Sequence, residues 1–214
     1  MRIQLPSGTT AELARVDDPV RGVVLVADIM GLRPLFDELV DRLARDNRWA
    51  VIAPEPYPGN ESMPIEQRLS APVDDGARLR DLLEAADALG TDPVAVLGFC
   101  QGAMITMKAA GTGRFDKAVA FYGMVRTPDD WRGPSTVEPL DQLARPNAAQ
   151  VLAIFGGVDH WTPPADVDAV RALPNVEAVV YPEADHGFVH DASRPAHRAD
   201  DARDAWRRAI EFLS

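Results

Sequence analysis

The chain has almost no cysteine. Cys100 stands alone among 214 residues, which excludes an internal disulfide and any zinc site built on paired cysteines. It also lacks positive blocks: 22 Lys and Arg residues face 33 Asp and Glu, for a formal net charge of -11. That field, with no basic run against it, excludes nucleic acid and an anionic membrane surface as partners. An anionic substrate would need locally placed arginines. No apolar run approaches the roughly 20 residues of a membrane span. The opening Met1-Arg2-Ile3-Gln4-Leu5-Pro6 has no apolar leader segment. These absences predict a cytoplasmic protein in which a free thiol stays reduced. Internal repeats and low-complexity tracts are missing too.

What is present is ordinary globular material, 46% hydrophobic and 26% charged, long enough for one domain over residues 1–214. A monomer or small homo-oligomer is expected. Short, continuously apolar runs predict strands at Gly22–Ala27, Ala50–Ala53, Val94–Leu97, Lys117–Tyr122, Val151–Phe155 and Glu177–Tyr181. Helical spacing of apolar residues fills the gaps, over Pro34–Arg45, Asp74–Leu89, Ala103–Ala110, Asp166–Leu173 and Asp200–Leu213, the last with Trp206, Ile210 and Leu213 on one stripe. Alternating strands and helices predict an α/β fold, a mainly parallel central sheet with helices on both faces. Such sheets bind ligands at the carboxyl ends of their strands. Pro54–Pro64 and Arg126–Pro146 read as irregular segments that could form pocket walls or lids.

Gly98-Phe99-Cys100-Gln101-Gly102 follows one predicted strand and opens a helix. Strand, Gly-x-nucleophile-x-Gly, helix is the pattern of a nucleophile elbow. The turn leaves little room for side chains two residues before and after the nucleophile, hence the glycines. A helix N-terminus stabilises a thiolate, the attacking form of cysteine. Gly156-Gly157-Val158-Asp159 follows a later strand, and Ala184-Asp185-His186-Gly187 the last one. Nucleophile, acid and histidine then come in the chain order of α/β-hydrolases. Alone, Asp159 reads as a turn acid and His186 as a loop histidine; it is the order that selects them. The N–H groups of Ile29, after the first predicted strand, and of Gln101 are candidates for an oxyanion hole. Asp28 is either a surface acid or a group that manages the thiol proton. Tyr57, Tyr122, Trp131 and Trp161 are candidate pocket residues, with core packing the alternative for each. His186 and His190 have a helical metal-ligand spacing, but they sit in a glycine-containing loop without a third ligand, so no metal is expected. His160 and His197 carry less signal. Gly111-Thr112-Gly113 follows a helix, so no dinucleotide loop, and no cofactor, is expected.

These motifs together resemble the dienelactone hydrolase family, from about Gly22 to Leu213. Gly98–Gly102, Gly156–His160 and Ala184–Phe188 are the most specific pieces, and Lys117–Gly123 looks like the family's strand after the elbow helix. The resemblance implies an α/β-hydrolase fold with Cys100 as nucleophile, His186 as base and Asp159 as its orienting partner. It implies Ile29 and Gln101 as the oxyanion donors. In well-known members a glutamate stands at the place of Asp28, holding the resting thiol and taking its proton. An arginine four residues after the histidine grips the substrate carboxylate. Here these positions are Asp28, one methylene shorter, and His190. The segment around Pro58–Pro72 looks shortened, with Arg68 the one candidate there for a second substrate arginine.

The resulting expectation is a hydrolase of a small ester or lactone, acting through a thioester on Cys100, with Tyr57, Tyr122, Trp161 and His190 around the substrate. Two rivals stay open at this stage. One is hydrolysis or transfer of another activated acyl group, such as a thioester. The other is a binding or redox-sensing module in which Cys100 is a sensor thiol.

Overall fold

Strands that are apolar on both faces can only be accommodated inside, and the computed structural model, which describes residues 1–214, places them so. Three of them, β3 (Arg21–Val26), β4 (Trp49–Pro54) and β5 (Val94–Phe99), are buried at every residue. β6 (Lys117–Phe121), β7 (Gln150–Gly156) and β8 (Val176–Tyr181) continue the sheet, with β8 at its less buried edge. Two strands escaped the hydrophobic pattern, β1 (Arg2–Gln4) and β2 (Thr10–Ala14). They are short and carry Arg2 and Glu12, which face each other in register and form an ion pair at 3.1 Å. The eight strands run in the order β1-β2-β4-β3-β5-β6-β7-β8. β1 and β2 are antiparallel additions at one edge; from β4 to β8 every pairing is parallel.

The helices follow from their sequences. α1 (Pro34–Asn47) starts on Pro34 and buries Phe36, Leu39, Val40 and Leu43. α2 (Ile65–Leu69) is a single turn that begins directly after the proline-rich stretch, with Pro64 as its N-cap residue. α3 (Asp75–Leu89) is capped by Asp74, whose carboxylate accepts the Ala77 N–H at 3.1 Å, and ends on Gly90 at φ 64°. α4 (Gln101–Ala110), α5 (Pro139–Leu143) and α6 (Pro164–Arg171) precede α7 (Ala199–Leu213). α6 begins two residues before the expected start because Pro164 suits a first helical position. On α7 the fully packed stripe is Ala202, Ala205, Ala209 and Leu213, with Trp206 and Ile210 at its margins. The small alanines let the helix lie close to β6 and β7.

α4 is held from outside the sheet by a buried ion pair. Lys108 donates to both carboxylate oxygens of Asp75, at 3.0 and 2.8 Å, and neither side chain reaches solvent. The Val137 N–H donates to the same carboxylate. The helix that carries the elbow is thereby tied to the start of α3 and to the loop before α5.

Candidate active site

Cys100 occupies the turn between β5 and α4 with φ 56° and ψ -124°. A side chain rarely tolerates this left-handed backbone, and the surrounding contacts must enforce it. The flanking glycines explain how. A Cβ on Gly98 would lie 2.4 Å from Thr106 Oγ1 and 2.5 Å from the Gly102 carbonyl oxygen; one on Gly102 would lie 2.2 Å from the Ala27 carbonyl oxygen. The turn is thus folded tightly on itself and pressed against the end of β3. The Cys100 N–H donates to the Phe121 carbonyl at 3.0 Å, which fixes the elbow to β6 as well.

Three further strand ends converge on it. After β7, Asp159 is buried and accepts the Trp161 N–H at 2.9 Å on one oxygen. Its other oxygen is 2.8 Å from Nδ1 of His186, which comes from the loop after β8. Main-chain bonds from Gly157 to Tyr181 and from Val158 to Ala184 hold these two loops together. Nε2 of His186 is buried without a hydrogen-bond acceptor or donor. Burial opposes a charge on this ring, but the hydrogen bond to Asp159 and the neighbouring charges of Cys100 and Asp159 outweigh it and raise the pKa to about 10. After β3, the N–H of Ile29 is unpaired in the folded chain, as is that of Gln101 at the start of α4.

Cys100 and His186 share a cleft of about 290 Å³ with Asp28, Ile29, Met30, Ile65, Leu69, Met124, Trp131, Trp161 and Arg194. Its walls are mostly apolar, and Trp131 and Trp161 are stacked 6.0 Å apart. Ile65 and Leu69 from α2, with Met30, form a partly exposed rim. Of the expected substrate residues, Trp161 lies on this wall and the other three do not. Tyr122 is fully buried, its hydroxyl bonded to Nδ1 of His190. His190 is likewise closed off from solvent, with Nε2 2.8 Å from the carboxylate of Asp28. Tyr57 lies behind the elbow in a neighbouring cleft, donating to the Gln101 side chain at 2.6 Å, with Arg68 and Arg78 over its ring. Aromatic character marked the tyrosines, and the family resemblance His190, as pocket candidates; each instead makes a hydrogen bond within the scaffold.

Asp28 also departs from expectation. It borders the cleft, yet its carboxylate accepts from the Met30 N–H, from both terminal nitrogens of Arg33 and from His190, and no hydrogen bond joins it to Cys100. Burial pushes its pKa up, and the bonds from His190 and Arg33 pull it down further, to about 2. A carboxylate so stabilised is a poor acceptor for a thiol proton. Arg68 is not on the cleft wall either: it donates to the Ile29 carbonyl at 2.9 Å. His186 and His190 face different partners, so they share no metal position. Asp159, His160 and Asp185 approach one another, but Asp159 is buried and already engaged by His186.

Arg194 is the wall residue that sequence reasoning missed. It is the one Lys or Arg side chain on the cleft and forms no ion pair. It lies eight residues after His186 in an irregular loop, where no spacing rule would single it out.

Comparison with known proteins agrees with this architecture. The dienelactone hydrolase family model matches residues 9–214. An Escherichia coli O157:H7 protein named as a carboxymethylenebutenolidase is 32% identical over 215 residues, covering 92% of this chain and 78% of that protein. A similarly named protein of Methylorubrum extorquens AM1 is 32% identical, covering 91% of this chain and 72% of its own length. The crystal structure of a Klebsiella pneumoniae protein named as a dienelactone hydrolase superposes with a TM-score of 0.87 at 30% identity, over 100% of this chain and 97% of that one.

Proposed function

The chain belongs to the dienelactone hydrolase family and is an ester or lactone hydrolase, and from that premise we propose that it works through Cys100 and a thioester acyl-enzyme. The observation that carries this reading is the 2.8 Å contact from Asp159 to His186 Nδ1, with His186 Nε2 left unpaired toward the cleft that Cys100 lines. In the proposed cycle the Cys100 thiolate attacks the substrate carbonyl. The oxyanion is received by the N–H groups of Ile29 and Gln101, neither of which has another acceptor. Collapse expels the alcohol or enol oxygen, which takes a proton from His186 Nε2. A water then enters, gives a proton back to Nε2, and attacks the thioester. Expulsion of the thiolate releases the carboxylic acid. Asp159 keeps the ring oriented throughout.

Arg194 supports a narrower substrate class, esters or lactones that carry a carboxylate. The protein's net charge of -11 repels such a substrate, and an unpaired arginine beside the nucleophile supplies the local attraction needed. The test is hydrolysis of a dienelactone and of p-nitrophenyl acetate by the wild type, Cys100→Ala and Arg194→Gln. Cys100→Ala should abolish both activities. Arg194→Gln should raise KM for the dienelactone by about 10-fold or more, the size of a lost charge-assisted hydrogen bond, and affect the neutral ester far less. Full turnover by Cys100→Ala would refute the nucleophile; equal effects of Arg194→Gln on both substrates would refute the carboxylate preference.

A further inference from the structure

The loop that carries His186 brings a second histidine into the interior. His190 has no solvent-exposed side-chain surface, and its ring stacks on Phe99 of β5 at 4.6 Å. Both ring nitrogens are used, and their partners come from different strand ends. Nε2 meets the carboxylate of Asp28, after β3; Nδ1 meets the hydroxyl of Tyr122, after β6. Nε2–H donates to the Asp28 carboxylate, and Nδ1 shares a hydrogen bond with the Tyr122 hydroxyl. Tyr122 adopts φ 44°, a backbone that an aromatic residue seldom takes.

Both partners adjoin the reacting groups. Asp28 immediately precedes Ile29. Its carboxylate holds the Met30 N–H at 2.9 Å, while Arg68 holds the Ile29 carbonyl at 2.9 Å. The peptide after Ile29 is therefore clamped at both polar ends, and the free Ile29 N–H is aimed by that clamp. Tyr122 follows Phe121, whose carbonyl accepts the Cys100 N–H. One imidazole thus spans the two halves of the oxyanion hole, the loop after β3 and the elbow.

We propose that His190 is a positioning residue that sets the Ile29 N–H against the elbow by bridging Asp28 and Tyr122. This rests on the Cys100 hydrolase reading and on Ile29 and Gln101 as its oxyanion donors. The effect is confined to the step that builds negative charge on the carbonyl oxygen. Alkylation of Cys100 by iodoacetamide builds none, so it reports the thiol and His186 without the hole.

The experiment compares p-nitrophenyl acetate kinetics and iodoacetamide alkylation rates for wild type, His190→Leu, His190→Gln and Tyr122→Phe, with Tm recorded for each. His190→Leu should lower kcat by about 10- to 100-fold, short of the loss on deleting a donor, while KM and the alkylation rate change by about twofold or less. His190→Gln, which can donate to Asp28 and accept from Tyr122, should recover most of kcat. Tyr122→Phe breaks one arm only and decides the matter if His190→Leu does not fold: kcat should fall with alkylation preserved. Unchanged kcat in a folded His190→Leu, or a fall in alkylation equal to the fall in kcat, would overturn the proposal. Wild-type turnover independent of Cys100 would instead overturn the hydrolase reading, and this inference with it.

Discussion

His186 sits between Asp159 and the cleft that Cys100 lines, and its protonation is a collective property. Its pKa of about 10 arises against burial, through Asp159 and Cys100. Alkylating Cys100 with iodoacetamide replaces a group that can carry negative charge by a neutral thioether. The His186 pKa should then fall, as followed by NMR of the ring protons; a value that stays near 10 would show that Asp159 alone sustains the charge. At this scale the sequence spoke clearly where chemistry demands a residue type at a fixed spacing. Gly98 and Gly102 were legible because only glycine fits beside the Thr106, Gly102 and Ala27 atoms they meet. The bonds that join Tyr122, His190 and Asp28 were not legible, because a buried hydrogen-bond network leaves no periodic trace, and the sequence left open whether the tyrosine packs in the core or lines the pocket.

Among the elements, α4 matters most, because its first residues form the elbow. Hydrophobic burial of one face fixes the helix against the sheet, but Lys108 and Asp75 fix its position relative to α3. Lys108→Met leaves the Asp75 carboxylate buried and uncompensated, and should destabilise the protein by about 3–5 kcal/mol in urea unfolding. Lys108→Met combined with Asp75→Leu should recover much of that loss. A single variant as stable as the wild type would show that the pair does not anchor the helix. The parallel strands and long helices were readable from apolar runs and helical spacing. β1 and β2 were not, since they are short strands carrying Arg2 and Glu12, and pairing rather than hydrophobicity defines them. α2, directly after one proline-rich segment, and α5, within the other, are single turns too short for any periodicity to register.

For the whole molecule, two strand-end groups titrate away from their ordinary values in opposite directions. Asp28 is lowered from 3.8 to about 2, so the stability it contributes is complete above 3.8 and is lost as pH falls through 2. His186 is raised from 6.5 to about 10, so its contribution is complete below 6.5 and is lost as pH rises through 10. Both contributions overlap between pH 3.8 and 6.5. Asp28→Asn should therefore lower Tm at pH 6, and the gap to wild type should close as pH falls from 3.8 to 2. A gap that stays constant to pH 2 would place the Asp28 effect outside its charge. No helix is long and apolar enough to cross a membrane. The overall architecture was the most legible level of all, because alternating strands and helices admit few arrangements, and the nucleophile–acid–histidine order narrows them further.

The central claim is that Cys100 forms the acyl-enzyme, and rapid quenching tests it most directly. Wild-type protein mixed with p-nitrophenyl acetate, quenched in acid within the first turnovers and digested, should yield the Cys100 peptide carrying one acetyl group that hydroxylamine removes. Turnover with no such adduct on Cys100, and the same turnover from Cys100→Ala, would contradict the account.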